Sequence, residues 1–269
     1  MYLRFFGFQE APFNITPDPH FLFFSQHHRQ AFDHIVYGIT ERKGFIEMTG
    51  EVGSGKTTIC RAVLAKIAPH IKTALVLNPL LTETQLLRAI LNDFGLKASG
   101  RDRLAYTATL NGFLLQQLGK GHNVALIIDE AQNLSQGVME QVRLLSNLET
   151  DQHKLLQIVL CGQPELKQRL AAPMLRQLRQ RITVRCHLLP LTVAETQQYI
   201  AYRLGRAGWQ GGELFQAAAL PVIHTYARGI PRLINAVCDV ALLAGYAAGS
   251  RQIDAAGIRK AIEHLEGTP

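Results

Sequence analysis

One stretch of this chain admits few folds. Gly44 to Thr49 (GFIEMT) is short, apolar and strand-like, and Thr57 to Ala68 (TTICRAVLAKIA) places apolar residues at helical spacing until Pro69 stops it. Between them, Gly50 to Thr58 (GEVGSGKTT) fits G-x-x-x-x-G-K-[ST], with Gly50, Gly55, Lys56 and Thr57 at the required places. That spacing describes a loop whose backbone N–H groups converge on phosphate oxygens. Gly50, Gly53 and Gly55 supply the permissive backbone; Glu51, Val52, Ser54 and Thr58 complete the loop. A helix starting near Gly55 aims its unpaired N–H groups and positive dipole end at the phosphates. Lys56 then reaches the outer phosphates, and Thr57 holds Mg²⁺. A glycine turn with an incidental lysine needs neither the strand before it nor the helix after it.

The remaining apolar runs extend the alternation. Thr73 to Leu77 reads as a second, buried strand, and Thr82 caps a helix with its stripe at Leu86, Leu87, Ile90, Leu91 and Phe94. A helix from about Asp102 to Leu118 precedes a third strand, Asn123 to Gln132, that ends in two carboxylates. Leu155 to Gly162 is the fourth strand and Ile182 to Leu188 the fifth, with one or two helices, broken at Pro173, between Gln163 and Leu178. Continuous apolar strands separated by helices predict a mostly parallel sheet covered on both faces. From Pro190 onward only helical spacing remains: Thr192 to Gly205, Glu213 to Arg228, Pro231 to Ala248 and Asp254 to Leu265. The expected fold is therefore α/β: a P-loop NTPase core with a five-stranded sheet, followed by a small all-helical lid.

The opening is of another kind. Phe5, Phe6, Phe8, Phe13, Phe21, Phe23, Phe24 and Phe32 hold most of the 12 phenylalanines, while Pro12, Pro17 and Pro19 forbid a continuous helix. Such a segment is expected to wrap over the main body and bury its rings; forming one wall of the adenine pocket, or a partner surface, is the functional alternative. Ser25 reads as the cap of a helix from about Gln26 to Arg42. The expected division is residues 1–42 as segment and helix packing on the core, 43–189 as nucleotide-binding domain, and 190–269 as lid.

Composition narrows the context. Hydrophobic residues are 47% and charged ones 18% of 269, the balance of a globular protein. The longest apolar stretch, around Ala236 to Ala248, is interrupted by Asp239, and no signal peptide is evident, so a soluble, cytoplasmic chain is expected. Cys60, Cys161, Cys186 and Cys238 are widely spaced without a C-x-x-C pair, so they are expected as buried free thiols. No H-E-x-x-H occurs, and no structural metal is expected. The net charge of +7 permits an acidic partner such as nucleic acid, anionic lipid or nucleotide.

A second constellation supplies chemistry. In LIIDEA, Leu126 to Ala131, an apolar strand delivers acids at its carboxyl end, where ligand sites lie in open α/β sheets. Asp129 is placed to hold the Mg²⁺ water shell and Glu130 to polarise an attacking water. A helix cap and a first-turn acid would be their structural use. Phosphoryl transfer also calls for more positive charge. Lys167, Arg169, Arg176, Arg179, Arg181 and Arg185 precede or enter the last strand. Arg181 or Arg179 is the expected finger on a neighbouring subunit's nucleotide; a solvated basic face and contacts to DNA phosphate are the other uses. In RGIPR, Gly229 and Pro231 fix Arg232 at a helix start, where it can report the γ-phosphate. Gln163, after the fourth strand, is placed for the γ-phosphate or the water. Asn78, after the second, is placed to restrain Glu130.

This set, in this order, resembles the AAA+ ATPases. The match is closer to the general secretion pathway protein A family (GspA/ExeA-like), through FFGF…PF.ITPDP.FLF, LIIDEAQNL, LLSNLET, LLQIVLCGQPEL, LRQLRQRI and GIPRLINAVCD. The resemblance covers essentially the whole chain. It implies strand order 5-1-4-3-2, a ring or other homo-oligomer, and hydrolysis of ATP with Mg²⁺ between subunits. It also implies a role at the bacterial envelope. Longer members continue into a membrane span and a periplasmic peptidoglycan-binding domain, and work with a membrane partner to place the secretin of type II secretion. Short members serve pilus or exopolysaccharide systems. The chain ends at Pro269, before any such span, which fits a short member or the cytoplasmic domain of an inner-membrane protein. The competing resemblance is to DNA-associated AAA+ regulators of the transposition-ATPase type.

Overall fold

A computed structural model describes residues 1–16, 18–67, 71–77, 80–151 and 153–267. Pro17, Pro69 and Asn78, each given a part above, lie outside the described residues. The chain opens with helix α1 (Tyr2–Phe6), then α2 (Gln26–Thr40), strand β1 (Phe45–Gly50), α3 (Lys56–Ile67) and β2 (Ile71–Val76). Next come α4 (Glu83–Asp93), α5 (Arg103–Gly119), β3 (Asn123–Ile128), α6 (Gln136–Leu145) and β4 (Gln157–Gly162). Short helices α7 (Pro164–Leu170) and α8 (Arg176–Arg181) lead to β5 (Ile182–Leu188). Helices α9 (Val193–Arg206), α10 (Ala219–Ala227), α11 (Pro231–Ala247) and α12 (Ala255–Glu266) close it.

Residues 26–50 and 59–188 form one compact unit. Its five strands pair in the order β2-β3-β4-β1-β5, all parallel, as the resemblance implied. Every residue of β1, β3 and β4 is buried, which is why these strands are apolar throughout rather than alternating. β2 and β5 are the edges and alternate in exposure. The second strand is therefore half-exposed, not buried as expected: its outer side lacks a neighbouring strand. The third strand also ends earlier than expected, at Ile128. The Asp129 N–H still pairs with the Val76 carbonyl at 2.9 Å, but Glu130 turns into the left-handed region at φ 52. Local caps set the helices. Thr82 forms a full capping box with Gln85, and Asp102 and Ser135 accept from the third residues of α5 and α6. At the starting ends of the strands, Gln157 Oε1 accepts the Gly44 N–H at 2.8 Å, and Asn123 Nδ2 donates to the Ile39 carbonyl. Those polar ties lie at the amino ends of the strands and leave the carboxyl ends for chemistry.

Residues 1–25, 51–58 and 189–269 form the other unit. The aromatic opening thus belongs with the helical region, where the expected division had it on the α/β core. Phe6, Phe8, Phe13 and Phe21 share one buried cluster with Tyr199 and Ile234. Burying a large apolar side chain contributes about 1.5–3 kcal/mol, so these rings supply much of a small core. Arg203, 6% exposed, lies over the Phe21 ring at 4.6 Å and fixes the backbone after the rings by donating to the Pro12 and Asn14 carbonyls. Asp239, which interrupts the apolar run of α11, accepts from the Tyr2 hydroxyl at 2.5 Å. The helix expected from Glu213 is confined to Ala219–Ala227. Phe215 instead makes a parallel bridge to Ile253, with Gln216 N–H on the Ile253 carbonyl at 2.9 Å, so its backbone is committed across the chain. No described helix is long and apolar enough to cross a membrane.

Candidate active site

Gly50 ends strand β1, and the loop turns at the next two glycines. Gly53 and Gly55 have φ of 78 and 99, values that side chains rarely adopt, and α3 begins at Lys56. Lys56 is only 5% exposed, and its Nζ donates to the carbonyl of Glu51 at 2.9 Å, folding over its own loop. Thr57 and Thr58 follow in the first turn, while Glu51 and Val52 are exposed. Within the same unit, the Arg232 N–H reaches the Gly53 carbonyl at 3.3 Å. A Cβ on Gly53 would lie 2.6 Å from the Arg232 Cβ, so only glycine lets the start of α11 approach this closely. Arg228 closes α10 in the left-handed region, Gly229 follows at φ 73, and Pro231 is the first residue of α11. Arg232 is held at the loop in this way with an exposed side chain.

At the carboxyl end of β3, Asp129 is 2% exposed, and its Oδ1 accepts the Glu130 N–H at 2.9 Å. Glu130 Oε2 receives two amides: Gln163 Nε2 at 3.1 Å and Gln132 Nε2 at 2.5 Å. Gln163 caps α7 without using its side chain there, which leaves that side chain for Glu130. β1, β3 and β4 run parallel, so Gly50, Asp129 and Gln163 lie at the same, carboxyl end of their strands. The sequence reading assigned no part to Gln132. Its only local signal is its place two residues after Glu130, and its second partner, the Gln163 N–H, is 31 residues away.

The basic segment divides by use. Arg169 donates to the carbonyls of Gln132 and Leu134 and so braces the turn that carries Glu130. Arg181 donates to Ser146 Oγ and to Asn147 Oδ1, the latter at 2.7 Å. Arg185 pairs with Glu47 at 3.2 Å and donates to the Arg179 carbonyl. Arg176 and Arg179 are exposed, and among the described residues no hydrogen bond or ion pair reaches their side chains. Of the two expected fingers, Arg181 is tied into its own chain and Arg179 is not.

Cys60, one turn after Lys56, meets Cys161 of β4 with the sulfurs 3.2 Å apart, a proximity their spacing did not suggest. All four cysteines are free. The Cys60 contact and burial push the Cys161 thiol well above its ordinary value, and burial pushes Cys186 up to about 12. Among the described residues no cluster of His, Cys, Asp and Glu is arranged for a metal.

Known proteins share this frame. The AAA domain family matches residues 39–170. General secretion pathway protein A of Aeromonas hydrophila is 46% identical over 99% of this chain, which spans 49%, about half, of that relative. Among solved structures, the Aeropyrum pernix ORC1 protein in complex with DNA superimposes with a TM-score of 0.70 at 15% identity, covering 96% of this chain and 70% of that one. Cdc6p from Pyrobaculum aerophilum gives 0.69 at 17%, covering 89% and 67%. The Thermotoga maritima RuvB Holliday junction branch migration motor gives 0.60 at 18%, covering 90% and 70%. At these identities the likeness is one of fold.

Proposed function

We propose, from the premise that this chain belongs to the AAA+ ATPase family of General secretion pathway protein A, that it hydrolyses ATP to drive assembly or remodelling at the bacterial cell envelope. The observation that carries the reading is the succession of β1, a glycine loop with two positive-φ glycines, and Lys56 at the first position of α3. The acid pair at the parallel end of β3 turns a phosphate cradle into a hydrolytic one.

The residues suit Mg²⁺ and nucleotide. A hydroxyl at Thr57 and a carboxylate at Asp129 are the hard oxygen donors that Mg²⁺ takes beside phosphate. When bound, the ion neutralises charge on the phosphates and orients them. Lys56 exchanges the Glu51 carbonyl for a phosphate oxygen, and the loop N–H groups donate beside it. Glu130 takes the proton of the attacking water. Gln163 contacts the γ-phosphate or that water, and Arg232 reports the γ-phosphate to the lid. Arg179 reaches the site of a neighbouring copy, a role supported by its exposure and lack of internal partners. The identity to a secretion protein supports the envelope as the place of action and a membrane protein of that system as the partner.

The test is ATP turnover against protein concentration. Specific activity should rise with concentration and vanish in Lys56→Ala and Glu130→Gln. Mixing Glu130→Gln with Arg179→Ala should restore part of the turnover, because an interface that takes its base from the Arg179→Ala subunit and its finger from the Glu130→Gln subunit has both groups intact. Turnover independent of concentration, and unchanged by loss of both Arg179 and Arg181, would end the shared-site reading.

A further inference from the structure

We infer that Gln132 is a positioning residue for Glu130, an inference that rests on the reading of Glu130 as the group that activates water. The Gln132 amide spans two fixed points. Its Oε1 accepts the backbone N–H of Gln163 at 3.1 Å, and its Nε2 donates to Glu130 Oε2 at 2.5 Å. A backbone N–H only donates and a carboxylate only accepts, so this amide has one acceptable orientation. Reversing it would oppose N–H to N–H and oxygen to carboxylate.

The surroundings hold that bridge in place. Gln132 is 9% exposed, and Gly162 leaves room for it: a Cβ there would lie 2.7 Å from Gln132 Oε1. The backbone on either side is clamped, since Arg169 donates to the carbonyls of residues 132 and 134. Glu130 itself sits at φ 52, ψ 36, a conformation costly for a residue with a Cβ that persists only where its surroundings over-determine it. Both amides land on one carboxylate oxygen, Oε2; among the described residues nothing donates to the other. One oxygen is thus anchored and the other carries no donor among the described residues.

The two anchors differ in kind. Gln163 Nε2 is the one drawn away when that side chain turns to a phosphate or water. Gln132 is bound to the Gln163 main chain, not its side chain, so it keeps the carboxylate in place through that movement. Near-attack geometry is sensitive to displacements of about 1 Å, worth about 100-fold in rate.

The experiment compares wild type, Gln132→Ala, the isosteric Gln132→Glu and Glu130→Gln by steady-state ATP turnover and by equilibrium binding of a non-hydrolysable ATP analogue. Gln132→Ala should lower kcat about 10- to 100-fold, with KM and analogue affinity within about twofold of wild type. Gln132→Glu keeps an acceptor for the Gln163 N–H but loses the donor to Glu130, and should lose kcat at least as severely. A merely structural role would instead lower analogue affinity and the melting temperature of Gln132→Ala together with kcat, whereas the positioning role leaves affinity and melting temperature near wild type. If Glu130→Gln is inactive while both Gln132 variants keep kcat within twofold of wild type, the inference is overturned and the reading of Glu130 stands. Should Glu130→Gln turn over like wild type, that reading fails and takes the role of Gln132 with it.

Discussion

Gly229→Ala should destabilise the helical unit by about 3–4 kcal/mol, a sum of three local costs. Gly229 sits at φ 73, where a residue with a Cβ costs about 1 kcal/mol or more relative to glycine. Its Cβ would lie 2.1 Å from the Leu191 carbonyl oxygen and 2.8 Å from the Leu191 nitrogen. Both are backbone atoms and cannot rotate away. Relief requires the 191 backbone to retreat, which loosens the 2.9 Å bond from the Leu191 N–H to the Gly229 carbonyl, worth about 1 kcal/mol. The remaining overlap adds about 1–2 kcal/mol, as other overpacked sites do. Gly249→Ala is the control: its φ is 67, but nothing lies within 4 Å of the added carbon, so only the backbone cost of about 1 kcal/mol applies. Thermal melting followed by circular dichroism should place Gly229→Ala about 6–16 °C below wild type and Gly249→Ala about 2–4 °C below it. Midpoints for the two variants within about 2 °C of each other would refute the argument that contact with Leu191, rather than torsion alone, requires the glycine.

Other consequences are more direct. Arg203→Met removes the donors to Pro12, Asn14 and the Tyr199 hydroxyl and should cost about 3 kcal/mol, read as faster chymotryptic cleavage within the first 25 residues; an unchanged cleavage rate would remove Arg203 as the clamp. Arg181→Ala should lower the melting temperature by about 2–8 °C through lost bonds to Ser146 and Asn147, while Arg179→Ala leaves it unchanged and lowers turnover instead. The Cys186 thiol, raised in the folded chain from 9.0 to about 12, binds its proton more tightly folded than unfolded. Its contribution is complete below pH 9 and is lost as pH rises toward 12, so the urea midpoint should drop on going from about pH 8.5 to about pH 10.5, and drop less in Cys186→Ala. Filter binding to DNA should be weak at physiological salt with or without ATP; tight, ATP-dependent binding with a steep salt slope would favour the DNA-associated reading over the envelope one.

How much of this was legible follows from what kind of information each feature needs. β5 runs from Ile182 to Leu188 as read, and α3 begins one residue after the expected Gly55, because apolar runs and glycine spacing are local signals. Strand order needed the family resemblance, since nothing within a strand names its neighbour. The exposure of β2 was missed for the same reason: an apolar run reads alike at the centre of a sheet and at its edge. Residues 213–218 carry helical spacing, yet Phe215 and Gln216 are taken up by pairing with Ile253, a partner 38 residues on from Phe215 that periodicity cannot register.

The acid end of β3 shows where such reading stops. Asp129 and Glu130 announce themselves as a pair of carboxylates at the end of an apolar strand. What holds Glu130 comes from elsewhere: an amide from Gln132, another from Gln163, and a brace from Arg169 on α7. In the sequence Arg169 was one cation in a basic segment whose expected finger was Arg181 or Arg179. Arg169, Arg181 and Arg185 donate to acceptors within the chain, while Arg176 and Arg179 are exposed. The exposure of Arg179, and the absence of a hydrogen bond or ion pair to its side chain among the described residues, is what supports it as the proposed finger between subunits.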